Sequence, residues 1–269
     1  MFRKTGITLL AIFGLLLSTG CSEYQQVLKS SDLNYKYAKA VEYYEAGKYA
    51  RALPIFEELR SLYRGTMRVQ DVAYYYAACL YHDEDYILAG YHFKQFYQAF
   101  PGNEHANEAA YLTARCYYLE APTYSLDQAY TYRAINELQL YINTHPTSEH
   151  IEECNEMMDE LRHKLERKSY EIAYQYYHTR RYQAAVTTFS NTLNDFPDTP
   201  YREEAMFYKL QSAYFLAENS IADKQMERYR SAKTSYFDFI RAFPESEYRD
   251  EADQTLGKIE DFLNGKLNS

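Results

Sequence analysis

Residues 77–101 read AACLYHDEDYILAGYHFKQFYQAFP, and the spacing inside this stretch decides the fold. Ala89 has an alanine twelve residues before it (Ala77), a tyrosine three before (Tyr86), a phenylalanine four after (Phe93) and a proline twelve after (Pro101). The same columns recur without gaps around Ala52 (Ala40, Tyr49, Phe56) and around Ala185 (Ala173, Tyr182, Phe189, Pro197), with Arg64 standing in the proline column of the first. Two further segments keep the second half of the pattern. Ala134 precedes Pro146 by twelve, and Ala232 precedes Pro244 by twelve with Tyr229 three before it.

A period of this kind resembles the tetratricopeptide repeat, and its physics is legible. Each unit is an antiparallel helix pair. Small residues let the two helices approach, the aromatic that opens the second helix fills the wedge beside the turn, and the phenylalanine packs on the next unit. Proline stops the second helix, because its ring and missing N–H cannot continue it. No pair buries its apolar face alone, so the units stack. The expected fold is therefore an all-α tetratricopeptide-repeat solenoid of about five helix pairs plus a C-terminal capping helix. The pairs are expected over about 34–64, 70–100, 104–144 (with a loop at Glu120–Ser125), 148–195 and 201–242 (with a loop near Asn219–Asp223). A last helix over 247–263 carries Ala252, Leu256, Ile259 and Phe262 on one face, as a cap requires. The anchor alanines lie 37, 45, 51 and 47 residues apart, so the added length falls in the later units.

The helix junctions repeat too. Pro101, Pro146, Pro197 and Pro244 are each followed eight residues later by a small side chain: Ala109, Cys154, Ala205 and Ala252. Three of them sit in similar strings, FPGNEHANEA, FPDTPYREEA and FPESEYRDEA. Each offers a short polar segment suited to capping, then acids in the first helical turn, where the helix dipole favours them.

The N-terminus carries an address. Arg3 and Lys4 precede an apolar run from Ile7 to Leu17, too short to span a bilayer and suited to a signal peptide. The run ends in LSTGC, which resembles the bacterial lipobox, with Ser18 where that motif has Leu and Leu17 one place further out. The resemblance implies cleavage after residue 20, lipidation of Cys21 with fatty-acyl chains, and, since Ser22 replaces the aspartate that signals inner-membrane retention, delivery to the outer membrane. Expected divisions are a lipoprotein signal peptide over 1–20, a lipidated tether over 21–33, an N-terminal module of repeats one to three over 34–146, and a C-terminal module over 147–269. No other stretch is apolar enough to cross a membrane. Cys79, Cys116 and Cys154 fall in separate helical patterns and read as small buried side chains, with one disulfide left open.

Loss of the leader removes two positive charges and moves the formal balance from -9 to -11. An acidic body argues against nucleic acid as a partner and against broad contact with anionic lipid head groups. With 32 Tyr, 14 Phe and no Trp, the chain lacks the usual platform for stacking sugars. Nothing points to an enzyme: there is no G-x-S-x-G, no phosphate-cradling glycine loop and no metal-ligand pattern among the seven histidines, so neither cofactor nor metal is expected. Glu152, Glu153, Glu156, Asp159 and Glu160 read as a solvated helix face.

Lipobox, repeats, junction strings and length together resemble the BamD family, the tetratricopeptide lipoproteins of the β-barrel assembly machine. That resemblance implies a scaffold on the periplasmic face of the outer membrane. Its N-terminal repeats receive the terminal signal strand of unfolded outer-membrane proteins, and its C-terminal repeats dock the periplasmic domains of the barrel subunit. No partner-contacting residue of the family is matched here. The other reading kept in view is a different envelope-coordinating repeat lipoprotein, serving cell-wall maintenance or division.

The residues offer a candidate site of their own. In this repeat the first helix of each pair lines the concave surface. The residues fifteen and eight before the anchor alanines are Tyr37 and Tyr44, Tyr74 and Tyr81, and Tyr170 and Tyr177. Such a ladder could stack on the aromatic residues of an extended client chain while its hydroxyls satisfy the client's backbone, the first four tyrosines taking the terminal strand. The same rings could instead pack on one another or on the neighbouring helix, so two fates stand open.

Overall fold

A computed structural model describes residues 23–267 of the chain. The signal peptide and lipidated Cys21 expected from the sequence lie outside the described residues. Residues 23–29, inside the segment expected as a tether, form helix α1. It is followed by α2 (Leu33–Glu45), α3 (Tyr49–Leu62), α4 (Val69–His82), α5 (Tyr86–Ala99), α6 (Ala106–Leu119), α7 (Ala129–Thr144), α8 (Ile151–His178), α9 (Tyr182–Asp195), α10 (Arg202–Glu218), α11 (Ala222–Ala242) and α12 (Arg249–Leu267). No strand occurs among the described residues. The fold is an all-α tetratricopeptide-repeat solenoid built from consecutive antiparallel pairs.

The chain forms two compact units. The first runs to Ala121 and takes in Ala129–Met158; the second holds Pro122–Gln128 and the residues from Asp159 onward. In the first, α3 packs on α2 and α4, α5 on α4 and α6, and α7 on α6. In the second, α10 packs on α9, α11 and α12.

The anchor columns behave as their side chains require. Ala52, Ala89, Ala134, Ala185 and Ala232 are fully buried, as are Ala109, Cys154, Ala205 and Ala252 after the prolines. Phe56, Phe93 and Phe189, four residues on, are fully buried too. Close helix approach is most visible at Gly90, where an added Cβ would sit 3.0 Å from Cys116 Cβ. Cys79, Cys116 and Cys154 are free and buried. Burial pushes their thiols up to about 12, 12 and 11, so they sit as small apolar groups. In the C-terminal cap, α12 buries Ala252 and Ile259, and Phe262 stacks on Tyr229 with centroids 4.0 Å apart.

Three of the turns inside the pairs share one conformation. Five residues before the anchor alanine stand Gly47, Glu84 and Arg180, with φ of 68°, 63° and 57°. Each closes its first helix the same way: Lys48, Asp85 and Arg181 donate their N–H to the carbonyls of Tyr43, Leu80 and Tyr176. Left-handed backbone costs a residue with a Cβ roughly 1 kcal/mol, which glycine avoids. Glu84→Gly and Arg180→Gly are therefore expected to stabilise their units by about 0.5–1 kcal/mol each. Urea unfolding checks this, and a loss of stability in both variants contradicts it.

Candidate functional site

Each first helix presents one aromatic ring to the next unit, and the next unit answers with two side chains. Four residues after the junction proline comes a planar group that stacks on that ring. His105 stacks on Tyr74 (4.1 Å, 13° between planes), His150 on Tyr111 (3.8 Å, 8°), Tyr201 on Tyr170 (4.8 Å, 13°) and Tyr248 on Phe207 (4.5 Å, 18°). Arg68, four residues after Arg64 in the proline column, places its guanidinium 4.7 Å from the centre of the Tyr37 ring.

Seven residues after the proline column comes an acid, which accepts the tyrosine hydroxyl. Tyr74 donates to Glu108 Oε2 at 2.8 Å, Tyr111 to Glu153 Oε2 at 2.6 Å, Tyr170 to Glu204 Oε2 at 2.5 Å, and Tyr37 reaches Asp71 Oδ2 at 3.5 Å. Burial first, and the acid second, hold the Tyr74 and Tyr170 hydroxyls far above their ordinary value; burial, then Asp71, pushes Tyr37 up to about 12. These hydroxyls stay protonated and keep donating. The junction acids thus do more than meet a helix dipole: they latch one repeat to the next. Glu153 belongs to the acidic run read from sequence as solvated; its side chain is 43% exposed, and it serves as an acceptor as well.

Of the six tyrosines singled out in the sequence, the upper column (Tyr37, Tyr74 and Tyr170) is engaged in these latches, with Tyr74 and Tyr170 buried. The lower column differs. Tyr44, Tyr81 and Tyr177 are half-buried. Tyr44 meets Tyr49, Tyr75 and His82 edge-on at 5.3, 5.0 and 5.9 Å; Tyr81 meets Tyr86 at 5.6 Å; Tyr177 tilts against Tyr208 at 5.1 Å. No hydrogen bond occupies these three hydroxyls among the described residues. Because no buried side-chain polar atom goes unpaired there, all three reach solvent.

Other rings join the lower column that a seven-residue step overlooks. Tyr75 stacks on Phe56 at 5.3 Å and edges Tyr44, while Tyr174 edges Tyr208 at 4.8 Å and lies between Tyr170 and Tyr177. Tyr174 is four residues from Tyr170 and three from Tyr177, the ordinary spacing of a helix face. The Tyr75 hydroxyl is raised by burial and then by Glu45, Asp71 and Glu104, whereas the first charge acting on Tyr81 is Arg115. In the second unit a cleft of about 440 Å³ runs between residues 122–128 and α8, with Tyr124, Lys168, Ile172, Tyr174 and His178 in its walls. No group of His, Cys, Asp and Glu able to hold a metal occurs among the described residues.

A face of half-exposed rings with free hydroxyls suits contact with another polypeptide. Comparison with known proteins supplies a family. The family model YfiO, described as outer membrane lipoprotein, matches residues 30–228. A provisionally named outer membrane protein assembly factor BamD of Aquifex aeolicus is 26% identical over 200 residues, covering 74% of this chain and 65% of that protein. The outer membrane protein assembly factor BamD of Caulobacter vibrioides is 28% identical over 120 residues, 45% of this chain and 39% of that one. The matches thus span less than two thirds of either relative's length. Among solved structures, the crystal structure of the P58(IPK) TPR domain aligns at TM-score 0.40 and 12% identity, covering 90% of this chain and 68% of that one.

Proposed function

The chain belongs to the YfiO family of outer membrane lipoproteins, and from that premise we propose that it is a scaffold lipoprotein of the β-barrel assembly machine. In this reading a lipid on Cys21 holds it to the outer membrane, with its repeats on the periplasmic face. The repeats bind the signal strands of unfolded outer-membrane proteins and dock the periplasmic domains of the barrel subunit. The protein promotes folding and insertion by holding partners together rather than by making or breaking bonds.

The observation that carries the client half of this reading is the lower tyrosine column. Tyr44 and Tyr81 leave ring edges and hydroxyls at the surface, while the upper column is spent on holding repeats together. A half-exposed ring can cover an apolar side chain, and its hydroxyl can meet the backbone of an extended strand. Glu45, Asp71 and Glu104 act on Tyr75 beside Tyr44, while Arg115 acts on Tyr81, so the two ends of the column favour opposite charges on a bound segment.

Replacing both Tyr44 and Tyr81 by alanine is expected to weaken a peptide copied from a client's terminal strand more than about tenfold, roughly 1.4 kcal/mol or more. Fluorescence anisotropy reads the affinity and circular dichroism checks that the helices persist. Unchanged affinity in a folded double variant rejects the site. Affinity capture from solubilised outer membranes tests the machine itself: recovery of the barrel subunit supports it, and recovery of cell-wall proteins alone rejects it.

A further inference from the structure

Helix α1 is docked firmly for a segment so close to an anchor. Val27 is fully buried in the core of the first unit, with Tyr24 and Leu28 packed beside it. The Tyr24 ring meets Tyr43 edge-on at 5.7 Å, its hydroxyl donates to the Arg51 carbonyl at 3.4 Å, and the Arg51 guanidinium lies 5.5 Å from its centre. Glu23 pairs with Lys39 at 2.7 Å, and Lys48 is near enough to favour its charge further. These contacts run α1 antiparallel to α2, so its N-terminal end points to the turn between α2 and α3.

Cys21 is two residues from Glu23, a reach of at most about 7 Å of extended chain. A lipid there leaves almost no slack between membrane and first repeat. At the nearest edge of that repeat Lys39 is shared between Glu23 and Glu42 at 2.7 and 2.8 Å, and the turn itself carries Lys48 and Arg51 beside Glu45. Beside it, brought close by the stacking of Tyr49 on His82 at 3.9 Å, the α4–α5 turn carries Asp83, Glu84 and Asp85. Anionic head groups tolerate the first turn, whose charges balance and whose Lys48 and Arg51 can meet phosphate, and repel the second.

We propose that α1 is a rigid coupling that seats the α2–α3 turn, through Lys48 and Arg51, on the phospholipid head-group layer beside the lipid anchor. This rests on the lipid-anchored reading above. Contact is confined to the first repeat, because the acidic neighbouring turn is held off the surface.

The test uses the full lipidated chain on phosphatidylethanolamine vesicles containing phosphatidylglycerol. A fluorophore is placed at the α2–α3 turn (Ala46→Cys) or at the exposed Met67 between α3 and α4 (Met67→Cys), and quenched by head-group spin-labelled lipid. The buried native thiols do not compete. Quenching at 46 is expected to be several-fold deeper than at 67. A Gly-Ser insertion of about ten residues between Ser22 and Glu23 gives slack of about 17 Å and is expected to remove that difference. Equal quenching without the insertion, or an undiminished difference with it, overturns the coupling. Detergent-phase partition of the parent chain against Cys21→Ala separates the two levels. Aqueous partition of both sinks the anchor and the coupling with it, whereas detergent partition of the parent with equal quenching sinks the coupling alone.

Discussion

Replacing Phe93 by alanine is expected to cost the first unit about 3–5 kcal/mol, the range for emptying a buried aromatic site. The ring is fully buried in α5, with Tyr74 tilted against it at 6.0 Å and Tyr81 edge-on at 6.4 Å. Neither neighbour can collapse into the space freely. Tyr74 is fixed by its stack on His105 and its bond to Glu108, and Tyr81 leans on Tyr86. The cavity therefore persists, and its cost adds to the lost transfer energy. Phe93→Leu keeps most of the volume and is expected to cost under about 1.5 kcal/mol. Urea unfolding followed by circular dichroism reads both, with the two units free to unfold in separate transitions. Because Tyr81 loses its backing, client affinity is expected to fall with stability in the alanine variant. A cost below about 1 kcal/mol for Phe93→Ala would remove this column from the core and the repeat reading with it.

The same columns explain what the sequence discloses and what it conceals. Alanines and phenylalanines at fixed steps reveal the fold because burial leaves one size and polarity for each position. Where proline is missing, at Arg64, the stop is made differently: α3 ends at Leu62 and Gly65 takes φ of 83° to turn the chain. Arg68 nevertheless keeps the stacking place of its column. Tyr111 was concealed by arithmetic. Counting back from Ala134 crosses the residues inserted between α6 and α7 and loses register, whereas counting forward ten from Pro101 finds it, as the same step from Arg64 finds Tyr74 and from Pro197 finds Phe207. The junction acids were visible but their partners were not, since an acid in a first turn already has a sufficient local reason. Which tyrosine column latches and which stays open cannot be read from residue type, because both are tyrosine. The neighbouring unit decides it, by bringing a planar group and an acid to one column only. Residues 23–29 are too few to display a period, so the docking of α1 rests on Val27 and Tyr24 finding their places against α2 and α3.

The latch itself predicts an asymmetry between its two halves. Tyr170 is buried, and its hydroxyl donates to Glu204, which is only half-buried. Glu204→Ala strands a buried hydroxyl without an acceptor and is expected to cost the second unit about 1–3 kcal/mol. Tyr170→Phe frees a carboxylate that can turn to water, keeps the ring stacked on Tyr201, and is expected to cost less than about 1 kcal/mol. The last junction already shows the apolar form, with Phe207 stacked on Tyr248 and no hydroxyl to satisfy. The double variant is therefore expected to regain most of what Glu204→Ala loses, and a thermodynamic cycle on urea unfolding measures the difference. The pH dependence carries the same signature. Folding holds Tyr170 above its ordinary value near 10, through burial and then Glu204, so above about pH 10 the unfolded chain releases a proton that the folded chain retains. Stability must fall with rising pH from there, and Tyr170→Phe should shallow that fall. Equal costs for the two single variants, with no recovery in the double, would mean that the stack holds the units together and the hydrogen bond is incidental.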